Sequence, residues 1–256
     1  MTATRDCLGI RVFAPALLGN DGRALAIVHG MERAFPGLHL GWKVSEEGRP
    51  VALPRRDAWI SEVTPDGGFR LVCNGDESYP VTISAWERRA GPEPHAQPLL
   101  QVSAELPLDA ATIAVAVDML EEVAEGARAL WGHATPDRAV GEIAQQSIRP
   151  LQGPPRPPRG LPVLALSERL RAPEIPHCLG WLNYWSAATA RWLNFPDPAR
   201  DAELLSRSRR TATGGWLVRL TDEPLDLDTP VHLDALLRAY ERFPEIGGRG
   251  TGASGV

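Results

Sequence analysis

The run Cys178–Phe195, CLGWLNYWSAATARWLNF, decides how the rest of the chain is read. It holds Trp181, Trp185 and Trp192, three of the eight tryptophans, together with Tyr184 and Phe195. Aromatic side chains bury the most area per residue, so this run is expected at the centre of a core. From Gly180 to Trp185 the residues Trp181, Asn183 and Trp185 alternate with Leu182 and Tyr184. Such a period of two predicts a strand. Ser186 then suits the N-cap of a short helix through Ala187–Arg191 to Asn194, stopped by Pro196. A single helix over 180–194 is the competing reading, because Leu182, Trp185, Thr189 and Trp192 also fit helical spacing. Strand followed by helix is preferred.

Outward from that run, the C-terminal side continues with a basic helix over Pro198–Arg210, with Leu204 and Leu205 inward and Arg200, Arg207, Arg209 and Arg210 outward. Thr213-Gly214-Gly215 predicts a tight turn into the strand Trp216–Thr221. The loop Asp222–Asp228, DEPLDLD, carries four acids in seven residues. Thr229-Pro230 opens a last helix with Leu233, Leu236, Leu237 and Tyr240 inward. Residues 247–256 are expected to be a disordered tail.

On the N-terminal side, Leu161–Leu166 reads as a strand. Before it, Arg149–Gly160, RPLQGPPRPPRG, has the composition of an extended, semi-rigid linker. Gly9–Pro15 predicts a first strand, and Ala24, Val28, Met31 and Phe35 a helix behind an Asn20-Asp21-Gly22 turn. A second strand is expected over Leu38–Val44 and a short helix over Arg55–Glu62. Phe69–Cys73, Val81–Trp86 and Leu99–Leu106 read as three more strands, the first two joined by a turn at Asn74–Glu77.

Asp109–Trp131 gives the clearest helical pattern. Ile113, Val117, Leu120, Ala124, Ala127 and Trp131 form one apolar stripe, with Asp109 as N-cap and Gly132 as stop. The other face carries Asp118, Glu121, Glu122 and Glu125, with no basic residue between Arg89 and Arg128. An acid run is ordinarily a solvated helix face; the sharper reading is a docking surface for a basic partner.

The expected fold class is therefore α+β, with mixed or antiparallel sheets, helices packed on one face, and two similarly built halves forming one body. The divisions are 1–148, the linker 149–160, 161–246 and the tail 247–256. At 256 residues with a 43% hydrophobic and 23% charged composition, the chain can bury a sizeable core. No apolar stretch approaches the roughly 18 residues that cross a membrane. The start of the chain does not read as a signal peptide, so a cytoplasmic location is expected. Cys7, Cys73 and Cys178 are odd in number and far apart, as reduced thiols in such a compartment are. The formal net charge is −5, and Lys43 is the only lysine among 27 Lys and Arg residues. No basic excess marks a nucleic-acid binder.

Chemistry-bearing motifs are sparse. The six histidines are scattered, with no pair at i, i+4 and no Cys/His cluster, so neither a metal nor another cofactor is expected. There is no G-x-S-x-G, H-E-x-x-H or Walker pattern. A nucleophilic Cys178 served by His177 would need base geometry that chain neighbours rarely supply. No catalytic residue is assigned, and the chain is not expected to be an enzyme.

GWLNYWS, TATGGWLVRLTDEPLDLD and LDALLRAYERF together resemble the C-terminal half of bacterial polymorphic-toxin immunity proteins. The likeness, over roughly residues 160–246, is to family 52 of that classification and to related myxobacterial domains of unknown function. The resemblance implies a cytoplasmic protein that binds a cognate protein toxin, such as a nuclease, and neutralises it without catalysis. A nuclease presents a cationic cleft that carboxylates can occupy. The candidate surfaces are Glu121, Glu122 and Glu125 on the long helix, and Asp222, Glu223, Asp226 and Asp228 in the loop. An interaction module with an unrelated partner, or an enzyme with a dispersed site, is the alternative.

Overall fold

The computed structural model describes residues 6–19, 21–62, 64–90, 97–148, 154 and 156–251. Ten strands form one sheet in the order β3-β2-β4-β5-β6-β1-β7-β8-β10-β9. They are β1 (Cys7–Pro15), β2 (Trp42–Val44), β3 (Pro50–Ala52), β4 (Phe69–Cys73), β5 (Thr82–Arg88), β6 (Leu99–Pro107), β7 (Trp131–Pro136), β8 (Leu182–Trp185), β9 (Ser208–Arg210) and β10 (Trp216–Arg219). Every pairing is antiparallel. The helices are α1 (Arg23–Ala34), α2 (Arg56–Ser61), α3 (Ala110–Ala127), α4 (Asp137–Gln145), α5 (Ala187–Trp192), α6 (Ala202–Ser206) and α7 (Pro230–Arg242). This is the expected α+β class.

The aromatic run behaves as its alternation predicts. Both faces of β8 are buried, and the Ser186 hydroxyl caps α5 by accepting from the Thr189 N–H at 3.2 Å. Trp185 meets Phe195 and Phe243 edge-on, with ring centroids 5.1 and 5.0 Å apart, and Phe195 meets Trp216 at 5.3 Å. Polar atoms inside this cluster find partners, as burial demands. The Trp181 indole donates to the Thr221 carbonyl at 2.9 Å, and Asn183 closes both of its amide bonds onto Gly180. Trp192 is the exception to the expected core: it is 52% exposed.

α1 and α3 pair with each other and cover one face of the sheet. Their close crossing depends on two glycines. A Cβ at Gly30 would lie 2.7 Å from the Glu122 carbonyl oxygen, and one at Gly126 would lie 2.7 Å from that of Ala26. Around β8 the other face is covered too. Tyr184 points towards α3, where its hydroxyl meets Glu125, while Trp185 points the opposite way onto Phe243, just past α7.

Several expectations are corrected. The long helix ends at Ala127, where Arg128 turns left-handed at φ 53°, and Trp131 starts β7. Its apolar stripe is also rotated. Ala116, Met119, Leu120, Val123, Ala124 and Ala127 are buried, but Ile113 is 37% exposed. Neither β7 nor α4 is expected from the sequence. Leu161–Leu166 forms no strand; its backbone bonds to the Gln146 and Gly247 carbonyls instead. The strand expected over Leu38–Val44 shrinks to Trp42–Val44 and pairs with the unexpected β3. The basic helix contracts to Ala202–Ser206, and Arg209 and Arg210 lie on β9. Gly247–Thr251, expected as the start of a tail, belong to a 3-10 turn held by Arg249, which donates to the Phe243 carbonyl at 3.0 Å and to that of Tyr240. The remainder of the tail, Asn20 of the first turn and residues 149–153 and 155 of the linker lie outside the described residues.

Candidate partner-binding surface

α3 exists where it does because Asp109 stops the preceding strand and accepts the Thr112 N–H at 2.8 Å, capping the first turn. That hydrogen bond holds the Asp109 carboxyl below its ordinary pKa. With the buried stripe fixed on α1 and the sheet, the acids at 118, 121, 122 and 125 must face outward.

The structure places each of these acids against a partner from another element. Arg209 of β9 reaches both Asp118, at 2.8 Å, and Glu121. Arg33 of α1 holds Glu122 at 2.7 Å. Glu125 accepts from the Thr213 hydroxyl at 2.6 Å and from Tyr184 at 3.1 Å. Partial burial works against the Arg209 charge, but the two carboxylates outweigh it and its pKa is raised. Burial, then the Glu125 charge, raises the Tyr184 phenol.

The loop Asp222–Asp228 is pinned by Leu225 and Leu227, both buried. Alternation turns Asp226 and Asp228 outward. Asp226 lies 3.6 Å from Arg138 of α4, and Asp228 lies 2.7 Å from Arg159. Arg159 also holds Glu142 at 2.5 Å and donates to the Leu227 carbonyl at 3.0 Å. These acids tie the loop to α4 and to the end of the proline-rich segment. Asp222 is 82% exposed and lies 4.0 Å from Arg207. Glu223 is exposed and makes no ion pair among the described residues.

The two acidic groups do not merge into one patch. A cleft of about 350 Å³ separates α3 from the start of the loop, lined by Val117 on one side and Asp222 on the other. Three arginines, Arg207, Arg209 and Arg219, line it as well. Sequence reasoning missed them as a group. Their one signal in the sequence is the arginine-rich stretch 200–210, which the structure divides between α6 and β9.

Cys178 does not engage its neighbour His177. Its sulfur is 3.7 Å from His133 Nε2, a strand away. Loss of water around these atoms pushes the thiol up to about 12. The His133 ring falls to about 3, chiefly for the same reason, with the charge of Arg11 adding to it. Neither group is poised to exchange a proton near neutrality. His177 Nε2 is 3.0 Å from the Ser147 hydroxyl, but it also faces the Ala165 carbonyl at 3.1 Å, a contact that needs the nitrogen protonated. Among the described residues no three His, Cys, Asp or Glu side chains converge as a metal-binding group. No helix among them is long and apolar enough to cross a membrane.

The fold is similar to that of the Pseudomonas aeruginosa T6SS protein PA0821, with a TM-score of 0.55 at 15% identity over 93% of this chain and 73% of that one. At that identity the likeness concerns the fold alone. No curated protein matches the sequence. Residues 19–251 match the family model DUF5953, described as a domain of unknown function, and the chain therefore belongs to that family.

Proposed function

We propose that this protein is an immunity protein that binds and neutralises a cognate protein toxin through the charged surface around α3. One observation carries the reading: the α3 acids are held in fixed positions by contacts from α1, β8, β9 and the turn before β10. Such a surface presents its charges with little further ordering cost on binding, which favours affinity and a fast, steered encounter. The fold likeness to a T6SS protein supports an assignment to a toxin-delivery context. In this reading the protein acts by occupying its partner and has no turnover of its own, and it works in the cytoplasm beside that partner.

The test is co-expression with the product of the neighbouring reading frame, followed by co-purification and an affinity measurement. A 1:1 complex and rescue of growth are expected. Charge reversal of Glu121 and Glu122, or of Asp226 and Asp228, is expected to weaken the complex at least about tenfold. Unchanged affinity in both double variants would remove the acidic surfaces from this reading. Turnover of a small metabolite by the purified chain would end it altogether.

A further inference from the structure

The arginine-lined cleft between α3 and β9 shares Arg209 with the acidic surface and adds Arg207 and Arg219, which hold none of the α3 acids. Its floor is the sheet itself, where Leu182 of β8 and Leu217 of β10 face the same side as Arg219. Arg219 is half-buried and makes no ion pair or side-chain hydrogen bond among the described residues. A partly desolvated guanidinium with all five N–H donors free is unusual, because such groups normally find a carboxylate.

Arg209 is only half committed. Both of its carboxylate contacts go to Nη2, which leaves Nε and Nη1 without a partner. Arg207 is held by Glu203 at 2.5 Å and by the Leu220 carbonyl at 2.6 Å, so its position is fixed beside the cleft. Among the described lining residues the one acid is Asp222, turned 82% to solvent. The interior thus offers unpaired guanidinium donors above an apolar floor, in a volume typical of small-ligand sites.

We propose that this cleft binds a small oxyanion ligand, a phosphate ester or a di- or tricarboxylate, with Arg219 as the principal anchor and Arg209 as the second donor. Paired guanidinium forks match the spacing of oxygen atoms in both classes. The principal anchor, Arg219, takes no part in the acidic surface, so the inference does not require a protein partner.

Calorimetric titration of the full chain at low ionic strength, with inorganic phosphate, pyrophosphate and citrate as probes, tests it. Saturable binding of at least one probe is expected, and the stronger arm identifies the ligand class. Arg219→Gln is expected to weaken that binding about tenfold or more, since it removes charge-assisted bonds. Arg219→Lys, which keeps the charge but loses the fork, should fall between, and guards against a folding defect in the first variant. Arg210→Gln removes the same charge from the opposite side of β9 and should bind like the unaltered protein. Equal weakening in Arg219→Gln and Arg210→Gln, or no saturable binding of any probe, would overturn the proposal.

Discussion

Arg242 and Arg159 each hold an aspartate, and the two pairs do different work. The Asp201 side chain is 0% exposed and takes two bonds from Arg242, at 2.5 and 2.9 Å, and one from the Asp197 N–H at 2.7 Å. Arg242 also donates to the Asn194 carbonyl at 2.9 Å, so the pair locks α7 to the segment that follows α5. Asp228 receives Arg159 at a similar distance, 2.7 Å, but is 82% exposed. The contrast teaches that contact length says little about energy. A desolvated pair cannot lose one member cheaply, whereas a solvated pair can exchange its partner for water, or for another protein, at little cost.

The largest expected effect is at the buried pair. Asp201→Asn should destabilise the protein by about 3–5 kcal/mol, because it leaves the Arg242 charge uncompensated. Urea unfolding measures it, and a loss below about 1 kcal/mol would put Asp201 in the same class as a surface pair.

Titration sharpens the same contrast. His133 is neutral when folded down to about pH 3, whereas in the unfolded chain it takes a proton near the ordinary imidazole value of about 6.5. The unfolded state therefore binds more protons in that window. Stability is complete above the unfolded value and is lost progressively as pH falls towards the folded one. Urea midpoints between pH 7 and pH 4 should drop in the native protein and flatten in His133→Gln. Parallel curves would exclude His133 as the source.

A smaller change is expected at the helix cap. Asp109→Ala should cost about 1 kcal/mol at neutral pH through loss of the bond to Thr112. Because the Asp109 carboxyl is held below its ordinary value when folded, this contribution persists above the unfolded pKa and fades as pH falls through the folded one. The difference between variant and native protein should therefore shrink in strong acid. At the bottom of the scale, Asp228→Asn should leave the urea midpoint unchanged within error. A shift as large as that of Asp109→Ala would break the distinction between the two pairs.

What the sequence discloses follows the same division between local and long-range causes. β8, α5, α7 and the strands flanking Asn74 were legible because their signals are local: alternation, a capping serine, a proline at the first helical turn, a turn asparagine. β7 was hidden. Its residues, WGHATP, alternate nothing apolar, and they are a strand only because β1 and β8 offer bonding edges on both sides. Gly132 serves that approach, since a Cβ there would sit 2.9 Å from the Arg11 carbonyl oxygen. Leu161–Leu166 failed in reverse: its apolar letters suggest a strand, but the nearest backbone groups belong to Gln146 and Gly247. The acids of the candidate surface were visible as letters, and their arginine partners were not. Arg209 lies 88 residues from Glu121 along the chain, and only the sheet brings them together.

The seam between β7 and β8 has a consequence during translation. Once β7 has left the ribosome and until β8 follows it, the nascent N-terminal portion carries β7 with one hydrogen-bonding edge open. That edge waits for a strand about fifty residues downstream. Expressed as separate fragments, the two pieces would each expose such an edge and should precipitate alone but recover solubility when made together.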